Sequence, residues 1–145
     1  MPLHHVGLTV SDLDVAIAFY QAALGCRVKE RSQSAGPELE MLTGVPSASV
    51  LTADLDVPGG GWLELIQYAE PRGAPSMQER SAPGHTHIAF VVDDVDAAHA
   101  RLVALGAAPT SKPVQIVEPG SVWDGARALY ACDPDGRTIE CVQLR

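Results

Sequence analysis

The amino-acid sequence predicts an α+β fold built from two βαβββ modules. The first observation is an internal repeat, in which the segment from His5 to Asp14 reappears with similar residues from His87 to Asp96. The second is a matched pair near the end of each half, where the segment Glu64–Gln67 reappears as Glu140–Gln143. The third is that each half shows one helix-like stretch among alternating, strand-like stretches. Two similar modules in one chain suggest a pseudo-twofold arrangement.

A length of 145 residues fits one domain, which we expect to span 1–145. Module one is predicted at about 1–70 and module two at about 84–145. The stretch 71–83 between them is rich in Pro, Gly, Ala and Ser and has no hydrophobic period. It is therefore predicted to be a connection.

Module one is predicted to begin with a strand at 3–10, whose residues alternate between two faces. Ser11 is predicted to cap the following helix, with Asp14 completing a capping box and Gly25 ending the helix. Three further strands are expected near 26–33, 48–56 and 61–68, with a short helix or flap at 36–44.

Module two repeats this order. We expect a strand at 85–92, a helix from about Asp94 to Leu105 that stops at Gly106, and strands near 113–117, 126–132 and 137–144. The segment 133–136, Asp-Pro-Asp-Gly, is a strong turn signal and predicts a hairpin between the last two strands. The glycine-rich segment 58–61 occupies the equivalent place in module one.

Composition excludes several classes of function. The formal net charge of −8 argues against a nucleic-acid partner, which would need a basic surface. No apolar run approaches the ~18 residues that span a bilayer, and no signal-peptide pattern opens the chain. Cys26, Cys132 and Cys141 are odd in number and lack CxxC spacing, so we expect reduced thiols and a cytoplasmic protein.

The residues that carry candidate chemistry are two histidines and two glutamates at matched places in the repeat. Strand alternation puts His5 and His87 on the face opposite the apolar residues that pack on a helix, and it does the same for Glu64 and Glu140. An unpaired glutamate buried in an apolar strand costs several kcal/mol. Two such glutamates call for a cation, and neutral imidazoles can complete its shell. We therefore predict one divalent metal per site, either Ni, Zn, Co, Mn or Fe.

The whole chain resembles the vicinal oxygen chelate superfamily, which includes glyoxalase I, methylmalonyl-CoA epimerase, extradiol dioxygenases, and fosfomycin and bleomycin resistance proteins. The motifs that carry the resemblance are the strand at His5, Ser11-Asp12-Leu13, Phe19-Tyr20, Leu24-Gly25, Leu63-Glu64-Leu65, the segment 87–94, and Asp133-Pro134-Asp135-Gly136 followed by Ile139-Glu140. The resemblance implies paired modules whose curved mixed sheet surrounds a metal held by His5, Glu64, His87 and Glu140. It also implies a homodimer.

The ligand set resembles that of bacterial glyoxalase I and the epimerases. This implies a lyase or isomerase that removes a proton beside a carbonyl, with Glu140 or Glu64 as the base and a small molecule with vicinal oxygens as substrate. Glyoxalase I recognises glutathione through an arginine and an asparagine where this chain has Thr9 and Tyr68. Glutathione is therefore not expected as co-substrate. Two alternatives stay open: an extradiol ring-cleaving dioxygenase, and a non-catalytic protein that binds a small molecule such as an antibiotic.

Further residues are candidates for the wall of a substrate pocket. Trp62 and Tyr68 share strand parity with Glu64, and Trp123 lies in a glycine-flanked loop that could close over substrate. Met41 belongs to the 36–44 segment, and Arg127 could pair with a substrate carboxylate. Ordinary core or interface contacts explain Trp62 and Tyr68 about as well, and a dimer contact is the alternative for Trp123. A plain surface helix is favoured for Met41, and a solvated side chain is the default for Arg127.

Overall fold

The computed structural model describes residues 2–74 and 79–145. Contacts between Cα atoms divide the chain into two compact units, Met1–Ser76 and Met77–Arg145, called unit 1 and unit 2 below. Each unit contains one four-stranded mixed sheet and one long helix. The predicted α+β fold with two repeated modules is confirmed. Part of the expected connection, 75–78, lies outside the described residues.

Unit 1 forms its sheet in the order β1-β4-β3-β2, with β1 parallel to β4 and the other pairs antiparallel. A short helix between β2 and β3 lies where the short helix or flap at 36–44 was predicted. The elements are β1 (Val6–Thr9), α1 (Leu13–Leu24), β2 (Arg27–Ala35), α2 (Pro37–Thr43), β3 (Ser49–Asp56) and β4 (Trp62–Glu70).

Unit 2 repeats this topology in the order β5-β8-β7-β6, again with the first strand parallel to the last. The third strand of this sheet, β7, corresponds to β3 of unit 1. The edge strand β6 is only two residues long. The elements are β5 (Ile88–Val91), α3 (Val95–Ala104), β6 (Val114–Gln115), β7 (Arg127–Cys132) and β8 (Thr138–Gln143).

The core of each unit lies between its long helix and one face of its sheet. In unit 1, Tyr20 on α1 is fully buried together with Leu55 and Leu65 on the sheet. In unit 2, Leu102 on α3 is fully buried with Ile139 and Cys141. Burial of side chains of this size contributes about 1.5–3 kcal/mol each, so this apolar layer fixes each helix on its sheet. No helix within 2–74 and 79–145 is long and apolar enough to cross a membrane.

The helix starts correct one prediction. The N-cap of α1 is Asp12 rather than Ser11, because the Asp12 carboxylate accepts a hydrogen bond from the backbone N–H of Val15 at 3.0 Å. Asp94 caps α3 in the same way, accepting from the N–H groups of Asp96 and Ala97 at 2.9 Å. An aspartate at the cap also places negative charge at the positive end of the helix dipole.

The hairpin turns of the two units share one hydrogen-bond pattern. Asp133 donates from its N–H to the carbonyl of Arg137 at 2.9 Å, and the predicted turn at 133–136 is confirmed. Val57 donates to the carbonyl of Gly61 at 3.1 Å in the equivalent turn of unit 1. These turns lead into β8 and β4, and so they set the register of the strands that carry Glu140 and Glu64.

Candidate metal-binding residues

Strand register separates each sheet into a face that packs on the long helix and a face that does not. In unit 1, Leu63 and Leu65 lie under α1, so the residues between them project to the other side. We call these the helix-free faces. That of unit 1 includes Gly7, Thr9, Asp54, Trp62, Glu64, Ile66 and Tyr68, and that of unit 2 includes Ala89, Val91, Tyr130, Cys132, Thr138, Glu140 and Val142.

In unit 1 the structure brings together the predicted histidine and glutamate. His5 Nε2 lies 3.3 Å from Glu64 Oε2. The His5 side chain is 36% exposed and that of Glu64 32%, so the pair is reachable from solvent. Gly7 lies beside Glu64 in the parallel ladder between β1 and β4, and it leaves the carboxylate uncovered on that side.

In unit 2 the equivalent pair has the same contact. His87 Nε2 lies 3.1 Å from Glu140 Oε2, with side-chain exposures of 42% and 17%. Ala89 takes the place of Gly7 in the ladder between β5 and β8. The smaller exposure of Glu140 shows that its carboxylate has less access to water than that of Glu64.

These contacts suit ligands of a divalent metal. Two ligands at right angles, each about 2.1 Å from an ion, are about 3 Å apart, which matches the nitrogen–oxygen separation in both pairs. Imidazole nitrogen and carboxylate oxygen are donors that Zn, Mn, Fe, Co and Ni accept. Within 2–74 and 79–145, no three His, Cys, Asp or Glu side chains gather into a group that could hold a metal. The structure therefore supplies two matched pairs of donors.

Three residues surround His5. His4 and Lys29 were not singled out from the sequence, and Trp62 was predicted as a pocket wall. His4 Nδ1 lies 2.8 Å from His5 Nδ1. Trp62 stacks near His5, with ring centroids 6.1 Å apart and planes at 15°. Lys29 Nζ lies 4.2 Å from the centroid of the Trp62 ring. The His-His doublet and the strand parity of Trp62 with Glu64 were the sequence signals for this cluster, and none pointed to Lys29.

Tyr130 is the main neighbour of the pair in unit 2 and was also missed. It lies opposite Glu140 in the ladder between β7 and β8, and its ring centroid is 5.3 Å from that of His87. Burial raises the pKa of Tyr130 above its usual value, and the nearby charge of Glu140 raises it further, while Arg80 acts in the opposite direction. The phenol is therefore protonated at neutral pH and able to donate a hydrogen bond.

The five candidate pocket residues fall in different places. Trp62 and Tyr68 lie on the helix-free face of unit 1, as expected. Arg127 does not lie on the helix-free face of unit 2, because its guanidinium binds the Asp96 carboxylate of α3 at 2.6 and 3.0 Å. This hydrogen-bonded pair lowers the pKa of Asp96. Met41 on α2 is 84% exposed and Trp123 in the loop before β7 is 45% exposed.

Comparison with known proteins identifies the family. The sequence model described as the Glyoxalase/Bleomycin resistance protein/Dioxygenase superfamily matches residues 2–141. The chain therefore belongs to this superfamily, and the resemblance to the vicinal oxygen chelate proteins is confirmed.

Two curated relatives cover nearly the whole chain. A 2-epi-5-epi-valiolone epimerase from Actinomyces sp. is 30% identical over 145 residues, covering 98% of this chain and 79% of the relative. The lactoylglutathione lyase of Haemophilus influenzae is 30% identical over 144 residues, covering 99% and 93%. Both relatives are named as enzymes, with different reactions.

Solved structures show the same fold. A glyoxalase family protein from Bacillus cereus superimposes with a TM-score of 0.86 at 24% identity, covering 99% of this chain and 94% of that one. The fosfomycin resistance protein FosX of Listeria monocytogenes, complexed with Mn(II) and sulfate, superimposes with a TM-score of 0.66 at 22% identity, covering 99% and 93%.

Proposed function

We propose that this protein is a divalent-metal-dependent lyase or isomerase that removes a proton from a carbon beside a substrate carbonyl. The observation that carries the proposal is the repeated pair: a histidine nitrogen and a glutamate oxygen 3.3 and 3.1 Å apart on the helix-free faces of both units. A single such pair on a surface strand is commonplace. Its repetition at the same register in two units is typical of residues kept for binding or catalysis.

His5, Glu64, His87 and Glu140 are the residues that would hold one divalent ion, either Ni, Zn, Co, Mn or Fe. The bound ion would supply Lewis-acid stabilisation of charge on two neighbouring substrate oxygens. The Mn(II) in the FosX complex supports a divalent ion on this fold. The substrate is accordingly a small molecule with vicinal oxygens.

Glu140 is the proposed base. Its carboxylate is the less exposed of the two, at 17% against 32% for Glu64, so fewer waters compete for its lone pairs. Tyr130 beside it can donate a hydrogen bond to the carboxylate or to a substrate oxygen. Glu64 is the second candidate, since it occupies the same place in the other unit.

Glutathione is not part of the proposal, although one relative is a lactoylglutathione lyase. Glutathione carries two carboxylates at neutral pH, and a site for it would benefit from cations. Thr9 and Tyr68 stand on the helix-free face of unit 1, at the positions where glutathione recognition would be expected, and both are uncharged. We further propose a homodimer that works in the reducing cytoplasm, where Cys26, Cys132 and Cys141 would stay the free thiols they are here.

Metal content of purified variants tests the proposal. After chelation and reloading with Zn²⁺, Mn²⁺ or Ni²⁺, we expect about one ion per wild-type chain. Alanine variants of His5, Glu64, His87 and Glu140 should each bind less. His99→Ala is the matched control, because His99 lies on α3, on the opposite side of the sheet from the helix-free face, and it should bind as wild type does. Wild-type occupancy in all four site variants would refute the proposed site.

The alternative reactions have their own readout. Oxygen uptake by the anaerobically prepared Fe(II) form on catechols would indicate a ring-cleaving dioxygenase. Tight binding of a small molecule by a protein that holds no metal would indicate a non-catalytic binding protein.

A further inference from the structure

We propose that His4 is a positioning residue that orients His5 for metal binding. This inference rests on the proposed function, because it assumes that His5 and Glu64 are ligands of one divalent ion. It adds a residue that the repeat does not predict, since Thr86 stands before His87 where His4 stands before His5.

The contact between the two imidazoles requires one hydrogen between two nitrogens. His4 Nδ1 and His5 Nδ1 are 2.8 Å apart, a hydrogen-bond distance, so one of them donates and the other accepts. His5 Nε2 faces Glu64 Oε2 at 3.3 Å. A neutral imidazole that offers the Nε2 lone pair to a cation carries its hydrogen on Nδ1. His5 Nδ1 is then the donor and His4 Nδ1 the acceptor.

Trp62 contacts both imidazoles. Its ring lies edge-on to His4, with centroids 4.4 Å apart and planes at 70°, and nearly parallel to His5. Trp62 belongs to β4, two residues before Glu64 and on the same face. Strand β4 therefore carries both the proposed ligand Glu64 and the Trp62 ring that contacts the other proposed ligand, His5.

Lys29 contacts the indole ring of Trp62. The pairing of β2 with β3 shifts register between Val28 and Glu30, so Lys29 sits at an irregularity of the ladder. Irregularities of this kind commonly re-aim a side chain. Lys29 Nζ reaches across to Trp62 at 4.2 Å from the ring centroid, a distance at which a cation is attracted to an indole face.

Unit 2 lacks these parts and provides an internal comparison. Thr86 and Thr138 stand at the places of His4 and Trp62, relative to His87 and Glu140. The imidazole of His87 instead contacts Tyr130. The imidazole-to-imidazole hydrogen bond thus belongs to one half of the proposed ligand set, which allows a matched substitution in the other half.

The test measures Zn²⁺ affinity by competition with a chromophoric chelator. Loss of an outer hydrogen-bond partner of a metal ligand typically weakens binding by about 10- to 100-fold, and we expect this from His4→Ala. His4→Asn should recover most of the affinity, because an amide oxygen can take the place of the accepting Nδ1. Thr86→Ala, the equivalent change in unit 2, should bind as wild type does.

A spectroscopic readout separates this role from a structural one. Long-range ¹H–¹⁵N spectra of the Zn²⁺-loaded wild type should show a hydrogen on His5 Nδ1 and none on His4 Nδ1. Thermal unfolding of metal-free His4→Ala should match the metal-free wild type, since both histidines are exposed.

The outcomes distinguish the two levels of the argument. If His5→Ala binds Zn²⁺ as tightly as wild type, the proposed function fails along with this inference. If His5→Ala loses affinity but His4→Ala does not, only the positioning role of His4 is overturned. It is also overturned if His4→Asn binds as weakly as His4→Ala.

Discussion

Glu64 and Glu140 occupy the same register position, but their neighbours differ in charge. Asp54 lies opposite Glu64 in the ladder, whereas Tyr130 lies opposite Glu140. A second carboxylate beside Glu64 adds negative charge that favours a bound cation. A phenol beside Glu140 adds a hydrogen-bond donor instead. Glu140 remains the proposed base because of its smaller exposure, 17% against 32% for Glu64, and Glu64 is expected to act mainly as a ligand.

Replacing each glutamate by glutamine separates these roles. An amide oxygen can still coordinate a dication, but the amide cannot take up a proton at neutral pH. Glu140→Gln should keep much of its metal and lose proton-transfer activity by a factor on the order of 10²–10⁴, with a smaller loss in Glu64→Gln. The measurement is solvent deuterium incorporation into a 2-hydroxy-ketone or α-branched acyl substrate. Wild-type exchange rates in both variants would exclude a glutamate base.

Thr9 and Tyr68 give a prediction about substrate choice. Neither side chain can form an ion pair with a carboxylate of glutathione. We expect the hemithioacetal of methylglyoxal and glutathione to be isomerised poorly by both the Ni²⁺ and Zn²⁺ forms. Efficient turnover in a standard absorbance assay would contradict this. Thr9→Arg provides the comparison, since it adds a cation to the helix-free face of unit 1.

Strand periodicity was sufficient to predict which residues share a face with Glu64 and Glu140. Side chains alternate with a period of two, so His5, Trp62 and Tyr68 followed directly from the positions of the glutamates. Arg127 did not, because its face depends on the pairing of Tyr130 with Glu140, which a single strand does not reveal. The contact of Lys29 with Trp62 spans two strands and a register shift, and no local pattern encodes it.

At the scale of elements, one glutamine in each unit joins the last strand to the long helix. Gln67 Oε1 accepts a hydrogen bond from the N–H of Leu13, the first residue of α1, at 2.7 Å. Gln143 Oε1 accepts from the N–H of Val95, the first residue of α3, at 3.1 Å. The first N–H groups of a helix have no partner within the helix, so these glutamines satisfy donors that would otherwise need water.

Removing this oxygen should destabilise each unit to a similar extent. Gln67→Met and Gln143→Met keep the size of the side chain but lose the acceptor, and each should lower the free energy of unfolding by about 1 kcal/mol, as for other helix-start contacts. Gln67→Glu retains an acceptor oxygen and should lose less. Urea denaturation measures these differences. The exposed Gln33→Met is the control and should stay within about 0.5 kcal/mol of wild type.

Sequence predicted the elements themselves well, because the repeat supplied two independent versions of each signal. The helix stops at Gly25 and Gly106 are present, and both glycines have positive φ, 70° and 76°. The cap at Asp12 was missed because Ser11 and Asp12 both favour that position. The distinction depends on which side chain can reach the N–H of Val15. The short helix α2 has no counterpart in unit 2, so the repeat could not support it.

For the whole molecule, binding of the proposed metal ion would couple folding to metal concentration. An ion that binds only the folded chain stabilises it by about 4 kcal/mol when its free concentration is 1,000 times the dissociation constant. Chelation should therefore lower the melting temperature of the wild type, by on the order of 10 °C. His5→Ala and His87→Ala should melt at the same temperature with and without chelator. A wild-type melting temperature that chelation leaves unchanged would contradict tight binding of a divalent ion by the folded protein.

The edge strand β2 has a consequence for how this protein behaves at high concentration. It ends the sheet of unit 1, and all nine of its residues, Arg27–Ala35, are exposed. Such a strand offers unpaired backbone groups to any neighbouring chain and is a common starting point for aggregation. Arg27, Lys29, Glu30 and Arg31 place charge along it. We expect these charges, three basic and one acidic, to oppose fibril-like self-association, so neutralising them should raise that tendency without touching the core.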